Sequence, residues 1–252
     1  MKSFKYLAVA GLVGSSALVS APAMAGSLTG SVGVMSQYLF RGIEQGPGAA
    51  GYGGLDYGFD SGFYVGTWAA TVGFASASGS SSEVDIYAGY AGESAGGLGY
   101  DVGVLYYWYP EEDEAGSATP TNNTFEIYGS LGFGPVGLSA YYAPSDYFAA
   151  SDPDTPDPTD DAGGAYGVYA SFSTPMTDKL SFDAAVGYNG GSGNDAFAGP
   201  NDDSYMEYNL GVSAALDNGF GMSFALVMTD IEAPGVDDDP KLVVDGSYGF
   251  DL

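Results

Sequence analysis

The chain has 252 residues, 45% of them hydrophobic and 15% aromatic, with 32 acidic and 5 basic side chains and neither Cys nor His. These absences exclude disulfides, thiolate chemistry, His-dependent triads and the commonest metal ligand. A net charge of −27 opposes a phosphate backbone, so no nucleic-acid partner is expected, while 21 Tyr and 14 Phe exceed what an acidic disordered chain carries.

In chain order, Lys2 and Lys5 come first, then a mostly apolar stretch over residues 7–19, then the small-x-small run Ala23-Met24-Ala25. That order predicts a secretory signal peptide over residues 1–25 and an exported domain over residues 26–252. No later stretch approaches the roughly 18–20 apolar residues of a membrane helix. Instead the pattern alternates with period two. Leu28, Gly30, Val32 and Val34 open it, and Val84, Ile86, Ala88 and Tyr90 repeat it against Glu83, Asp85 and Tyr87. It persists to Leu242, Val244, Gly246, Tyr248 and Phe250. Such alternation gives each strand one apolar and one polar face.

Twelve strands are expected, over residues 28–41, 50–59, 63–74, 83–91, 98–109, 123–133, 136–144, 164–173, 179–189, 204–216, 220–230 and 241–252. Most are near the roughly 9–11 residues with which a tilted strand crosses a bilayer. Their connections alternate between short turns such as Asp60-Ser61-Gly62, Gly134-Pro135 and Asp217-Asn218-Gly219, and long segments such as 42–49, 110–122, 145–163, 190–203 and 231–240. Short turns at one end and long loops at the other predict an all-β fold, an antiparallel up-and-down transmembrane β-barrel of about 12 strands in a bacterial outer membrane. A soluble β-sandwich or ligand-carrying barrel would turn the apolar face inward instead. Two features oppose that. Tyr38, Phe40, Tyr106, Trp108, Tyr142 and Tyr188 fall near the loop ends of the apolar face, and Phe59, Phe63, Phe133, Phe220 and Phe250 near the turn ends, as two aromatic girdles would. The opposite face carries Asp56, Glu83, Asp85, Asp101, Glu126, Asp183, Glu207 and Asp245, which a dry core could not hold unpaired.

The run Tyr38-Leu39-Phe40-Arg41-Gly42-Ile43, followed by Gly53-Gly54-Leu55-Asp56-Tyr57, Ser61-Gly62-Phe63-Tyr64-Val65-Gly66-Thr67-Trp68, Glu83-Val84-Asp85-Ile86-Tyr87-Ala88-Gly89-Tyr90 and Tyr100-Asp101-Val102-Gly103-Val104, resembles the TorF family of proteobacterial outer-membrane porins. The likeness is strongest over residues 33–110, with Phe125-Glu126-Ile127-Tyr128-Gly129 a weaker continuation. It implies a porin without naming a solute. Leu252 departs from the terminal aromatic residue of most such barrels, while Tyr248 and Phe250 keep its spacing.

On this reading the pore is lined by Asp56, Glu83, Asp85, Asp101, Glu126, Asp183, Glu207 and Asp245, with Tyr64, Trp68, Tyr87, Tyr107, Tyr109 and Tyr128 adding bulk. Rings of acids favour cations, so a narrow channel for small cations or small neutral solutes is expected. Arg41 is expected to point inward, either as a filter or in a salt bridge to Glu44 or Asp56. The acidic runs 111–114, 152–161 and 237–239 suit solvated loops better than a calcium loop, whose required Gly is here Asp157. No metal or other cofactor is expected. An enzyme would have to work with Asp pairs alone, and a structural or adhesive barrel would have a plugged lumen. The expected partners are outer-membrane lipid and lipopolysaccharide, the barrel assembly machinery and small solutes.

Overall fold

The computed structural model describes residues 26–73, 80–110, 122–144, 147–148, 163–198, 204–232 and 239–252. The signal peptide expected over 1–25 and the acidic stretches 111–114 and 152–161 lie outside the described residues, as do Asp237 and Asp238.

In chain order the strands are β1 (Ser27–Met35), β2 (Leu39–Phe40), β3 (Ile43–Glu44), β4 (Ala50–Gly58), β5 (Phe63–Thr71), β6 (Ser82–Glu93) and β7 (Gly99–Trp108). They continue with β8 (Thr124–Phe133), β9 (Val136–Ala143), β10 (Ala165–Pro175), β11 (Leu180–Gly190), β12 (Ser204–Ala215), β13 (Phe220–Thr229) and β14 (Lys241–Asp251). Among the described residues, all but β2 and β3 form one closed barrel of twelve antiparallel strands, each beside its neighbour in sequence. Closure is made by β1, which pairs with β14 (Val32↔Tyr248) on one side and with β4 (Val32↔Gly53) on the other. Among the described residues, the barrel sheet has no open edge strand.

Side-chain alternation sets the faces. Val32, Val34, Ile86, Val102, Leu138, Val168 and Leu242 point outward and keep half or more of their surface exposed. A continuous apolar belt of this kind has no stable place in water and matches a hydrocarbon slab. Tyr106, Trp108, Tyr142 and Tyr188 bound the belt at the loop end, and Phe59, Phe63, Phe133 and Phe220 at the turn end. The turns are tight where the sequence permits it: Asn218 (φ 67°) and Gly219 (φ 84°) take up left-handed backbone between β12 and β13.

Inside, a repeated packing rule joins the strands. Six tyrosines lie over the glycine paired with them on the adjacent strand: Tyr52 over Gly33, Tyr87 over Gly66, Tyr64 over Gly89, Tyr128 over Gly103, Tyr141 over Gly167 and Tyr169 over Gly187. A Cβ on any of these glycines would fall 2.1–2.4 Å from the nearest atom of the tyrosine side chain. The missing side chain is therefore the space the tyrosine occupies.

The structure corrects the sequence expectation at strand one. β1 does not run to Arg41: it ends at Met35, where Ser36 N donates to the Val244 carbonyl (2.8 Å) and the ladder stops. The chain then folds into the lumen as the β2–β3 hairpin, with Arg41 (φ 51°) and Gly42 (φ 80°) as its two-residue turn. Tyr38 and Phe40, expected in the outer girdle, are buried inside the barrel. A short helix, α1 (Ser192–Ala198), lies within the long connection expected over residues 190–203.

Candidate functional site

The interior is the candidate site, and all eight acids expected on the inner face are there. They form two tiers. Near the turn end, Asp56 and Asp101 are half-buried, and each accepts a tyrosine hydroxyl that reaches across an intervening strand. Tyr87 on β6 spans Gly66 on β5 to reach Asp56 on β4 (2.6 Å), and Tyr64 on β5 spans Gly89 on β6 to reach Asp101 on β7 (2.8 Å). Nearer the loop end, Tyr52 makes the same reach from β4 over β1 to Asp245 on β14 (2.8 Å), which pairs with Met35 at the end of β1. Asp183 is held by Ser173 and Ser213, each at 2.7 Å. These carboxylates line the wall and also tie it together laterally.

Toward the loop end, Glu83, Asp85, Glu126 and Glu207 are fully buried. Glu83 accepts hydroxyls from Tyr38 (2.7 Å) and from Tyr109. Glu207 accepts the Asn209 amide (2.7 Å), but its other oxygen has no hydrogen-bond partner, and neither has Asp85 Oδ1. No group of three or more acids among the described residues is arranged to hold a metal ion.

The inserted hairpin is what buries this tier. From the turn of the β2–β3 hairpin, Arg41 meets Glu126 on β8 as a fork, with Nη1–Oε1 at 2.7 Å and Nη2–Oε2 at 2.9 Å. Its Nη1 also donates to the Tyr147 hydroxyl (2.7 Å), and the guanidinium carbon stands 3.2 Å from the centre of the Tyr141 ring. Burial is the largest single influence and works against the charge, but Glu126, Tyr141, Tyr147 and Tyr107 together outweigh it and hold the Arg41 pKa well above its ordinary value. Burial likewise pushes the Tyr147 hydroxyl up, with Arg41 pulling it only partly back. The expected partners Glu44 and Asp56 are thus replaced by Glu126, because the chain turns inward at Ser36 instead of continuing along the rim.

Around this pair the outer half of the barrel is packed. Leu39 is fully buried, Phe40 packs edge-on against Tyr107 and Phe148, and Tyr38 packs edge-on against Trp68. At the tip, a Cβ on Gly42 would fall 2.2 Å from Thr229 Cγ2, so the hairpin reaches the β12–β13 wall without clearance. Asn194 of α1 donates to the Tyr141 hydroxyl (3.2 Å) and the Gly190 carbonyl (2.9 Å), tying α1 to the interior wall.

Of the aromatic residues expected inside, Tyr64, Trp68, Tyr87, Tyr107, Tyr109 and Tyr128 are all inside. Sequence reading missed Tyr38, Tyr141 and Tyr147 as parts of the interior site. Gly42 was the available signal for the hairpin that carries Tyr38 inward, since a type I′ turn takes positive φ at both positions and Gly adopts it freely.

The KdgM porin shares the architecture with a TM-score of 0.54 at 11% identity, over 88% of this chain and 99% of that one. The NanC porin gives 0.56 at 12% identity, over 90% and 100%. KdgM in complex with disordered oligogalacturonate gives 0.54 at 10% identity, over 89% and 99%. Such low identities make these likenesses of fold. No curated protein matches the chain in sequence. Residues 20–245 match the family described as "Bacterial protein of unknown function (Gcw_chp)", and the chain belongs to that family.

Proposed function

We propose that the chain is a channel of the bacterial outer membrane, of the TorF porin kind, exported by a signal peptide over residues 1–25. It passes small cations or small neutral solutes, rejects anions, and is closed by the β2–β3 hairpin in the conformation described. The observation that carries this reading is the inner wall itself. Asp56, Glu83, Asp85, Asp101, Glu126, Asp183, Glu207 and Asp245 face inward, against Arg41 as the buried cation among the described residues. Acidic rings favour cations and repel anions. The fold likeness to the KdgM and NanC porins supports a channel, and the apolar belt with its two aromatic borders supports the membrane. The KdgM porin is seen in complex with disordered oligogalacturonate, and the proposed acidic wall of this chain would disfavour such a carboxylate-bearing solute. Outer-membrane lipid and lipopolysaccharide would surround the belt, and the barrel assembly machinery would insert it.

A reversal potential measured across a KCl gradient in planar bilayers tests the selectivity: cation preference is expected, and anion preference would overturn it. The packed hairpin favours a second reading, a structural or adhesive barrel whose lumen stays plugged. Single-channel recording separates the two, because discrete current steps from folded protein belong to a channel alone.

A further inference from the structure

The Arg41 guanidinium is bound as a ligand would be. Glu126 offers both carboxylate oxygens in a fork, Tyr147 accepts at 2.7 Å, and the Tyr141 ring covers one face at 3.2 Å. A planar fork with an aromatic lid selects guanidinium over ammonium, which is a point charge with no flat face. We propose that the Glu126–Tyr141–Tyr147 cage is a binding site for guanidinium-bearing solutes. Arg41 occupies it as the resident competitor, and such a solute displaces the hairpin tip. The consequence for transport rests on the channel reading above; the binding itself does not.

Three observations carry the exchange. First, two of the cage walls stand without Arg41: Glu126 and Tyr141 sit on barrel strands, Tyr107 donates to Glu126 (3.2 Å), and Tyr141 donates to Asn189 (3.0 Å). Second, the occupant is delivered at a conformational cost. Arg41 sits at φ 51°, where a side chain with a Cβ is disfavoured and Asn, Asp or Gly is the usual choice. A free solute bears no such strain. Third, the hairpin's own ladder is short, with Leu39↔Glu44 and Phe40↔Ile43 extended by Gln45 N donating to the Tyr38 carbonyl (2.9 Å), so few backbone bonds of its own resist displacement of the tip.

The test uses the folded protein in detergent with Trp108 replaced by Phe, leaving Trp68 as reporter, because its ring meets Tyr38 at the hairpin base (5.7 Å). Butylguanidinium is titrated against butylammonium, with direct binding measured by calorimetry. Saturable butylguanidinium binding with a Trp68 response is expected, with butylammonium at least about tenfold weaker. Arg41→Ala removes the competitor and should tighten butylguanidinium binding by about tenfold or more. Glu126→Gln keeps the shape of the cage and should abolish it. Should Arg41→Ala fail to fold, Arg41→Lys loses the fork while filling the space and should also tighten binding. Equal affinity for the two probes, or no binding to either Arg41 variant, overturns the proposal. Current through a bilayer without butylguanidinium binding removes this inference and leaves the channel; binding without current does the reverse.

Discussion

A Cβ added at Gly103 would enter the Tyr128 ring and also come within 2.7 Å of the Ala88 carbonyl oxygen, an atom of the neighbouring backbone. A ring can tilt, but a paired strand moves only with its ladder. Gly103→Ala is therefore expected to destabilise the barrel by about 1–3 kcal/mol, the usual range for overpacking. Gly51→Ala meets nothing within 4 Å and should be close to neutral. Urea unfolding followed by the band shift between folded and unfolded protein on gels compares the two. The buried tyrosines also set a pH limit. Burial and nearby carboxylates hold Tyr38 above its ordinary pKa, and burial does the same for Tyr147. A raised folded pKa means that the folded state keeps a proton which the unfolded state gives up. Stability should thus be flat below the ordinary tyrosine value of about 10 and decline as pH rises beyond it. Arg41 stays charged throughout, so the fork to Glu126 is not what fails first. Midpoints measured between pH 7 and 11 check the sign.

At the scale of the element, the β2–β3 hairpin is dispensable to closure. β1 pairs directly with β4 down to Met35↔Ala50, and with β14 down to Met35↔Asp245, so the twelve-strand ladder is complete without it. Replacing residues 37–48 with a two-residue turn should leave a folded barrel and raise single-channel conductance several-fold, since Leu39, Phe40 and Arg41 no longer fill the outer lumen. Loss of folding would mean that the hairpin is a structural pillar and not a plug. Sequence periodicity could not separate this hairpin from β1. Tyr38-Leu39-Phe40-Arg41 alternates like the strand before it, and an extended chain has period two whether it faces lipid or lies in a lumen. The Arg41-Gly42 pair was the visible break.

For the whole molecule, the proposed channel rests on the sign of the charge and its radial sorting. Asp56 and Asp101 lie half-buried toward the turn end, where each accepts a tyrosine hydroxyl through Oδ1. The double change Asp56→Asn and Asp101→Asn retains an oxygen acceptor at each position, so the Tyr87 and Tyr64 ties can persist. It removes two of the eight inner charges and should shift the reversal potential toward zero while the fold is retained. The outward Val32, Val34, Ile86, Val102 and Leu242 demand a nonpolar surround, so the folded chain should require detergent or lipid to stay monodisperse.

How much was legible in the sequence follows from which interactions are local. Alternation is a property of each strand alone, so the twelve strands, the direction of their faces and the inward placement of Glu83, Asp85, Glu126, Asp183, Glu207 and Asp245 could be read residue by residue. Turn chemistry at Asp217-Asn218-Gly219 is equally local. Only the tertiary structure decided who meets whom across the barrel: Arg41 with Glu126, 85 residues apart, and Tyr87 reaching over Gly66 to Asp56. Those contacts depend on curvature, closure and one inward turn of the chain at Ser36, none of which leaves a period in the sequence. The same acids that composition marks as a wet, cation-friendly lining are, in three dimensions, also the acceptors that hold the wall and the hairpin in place.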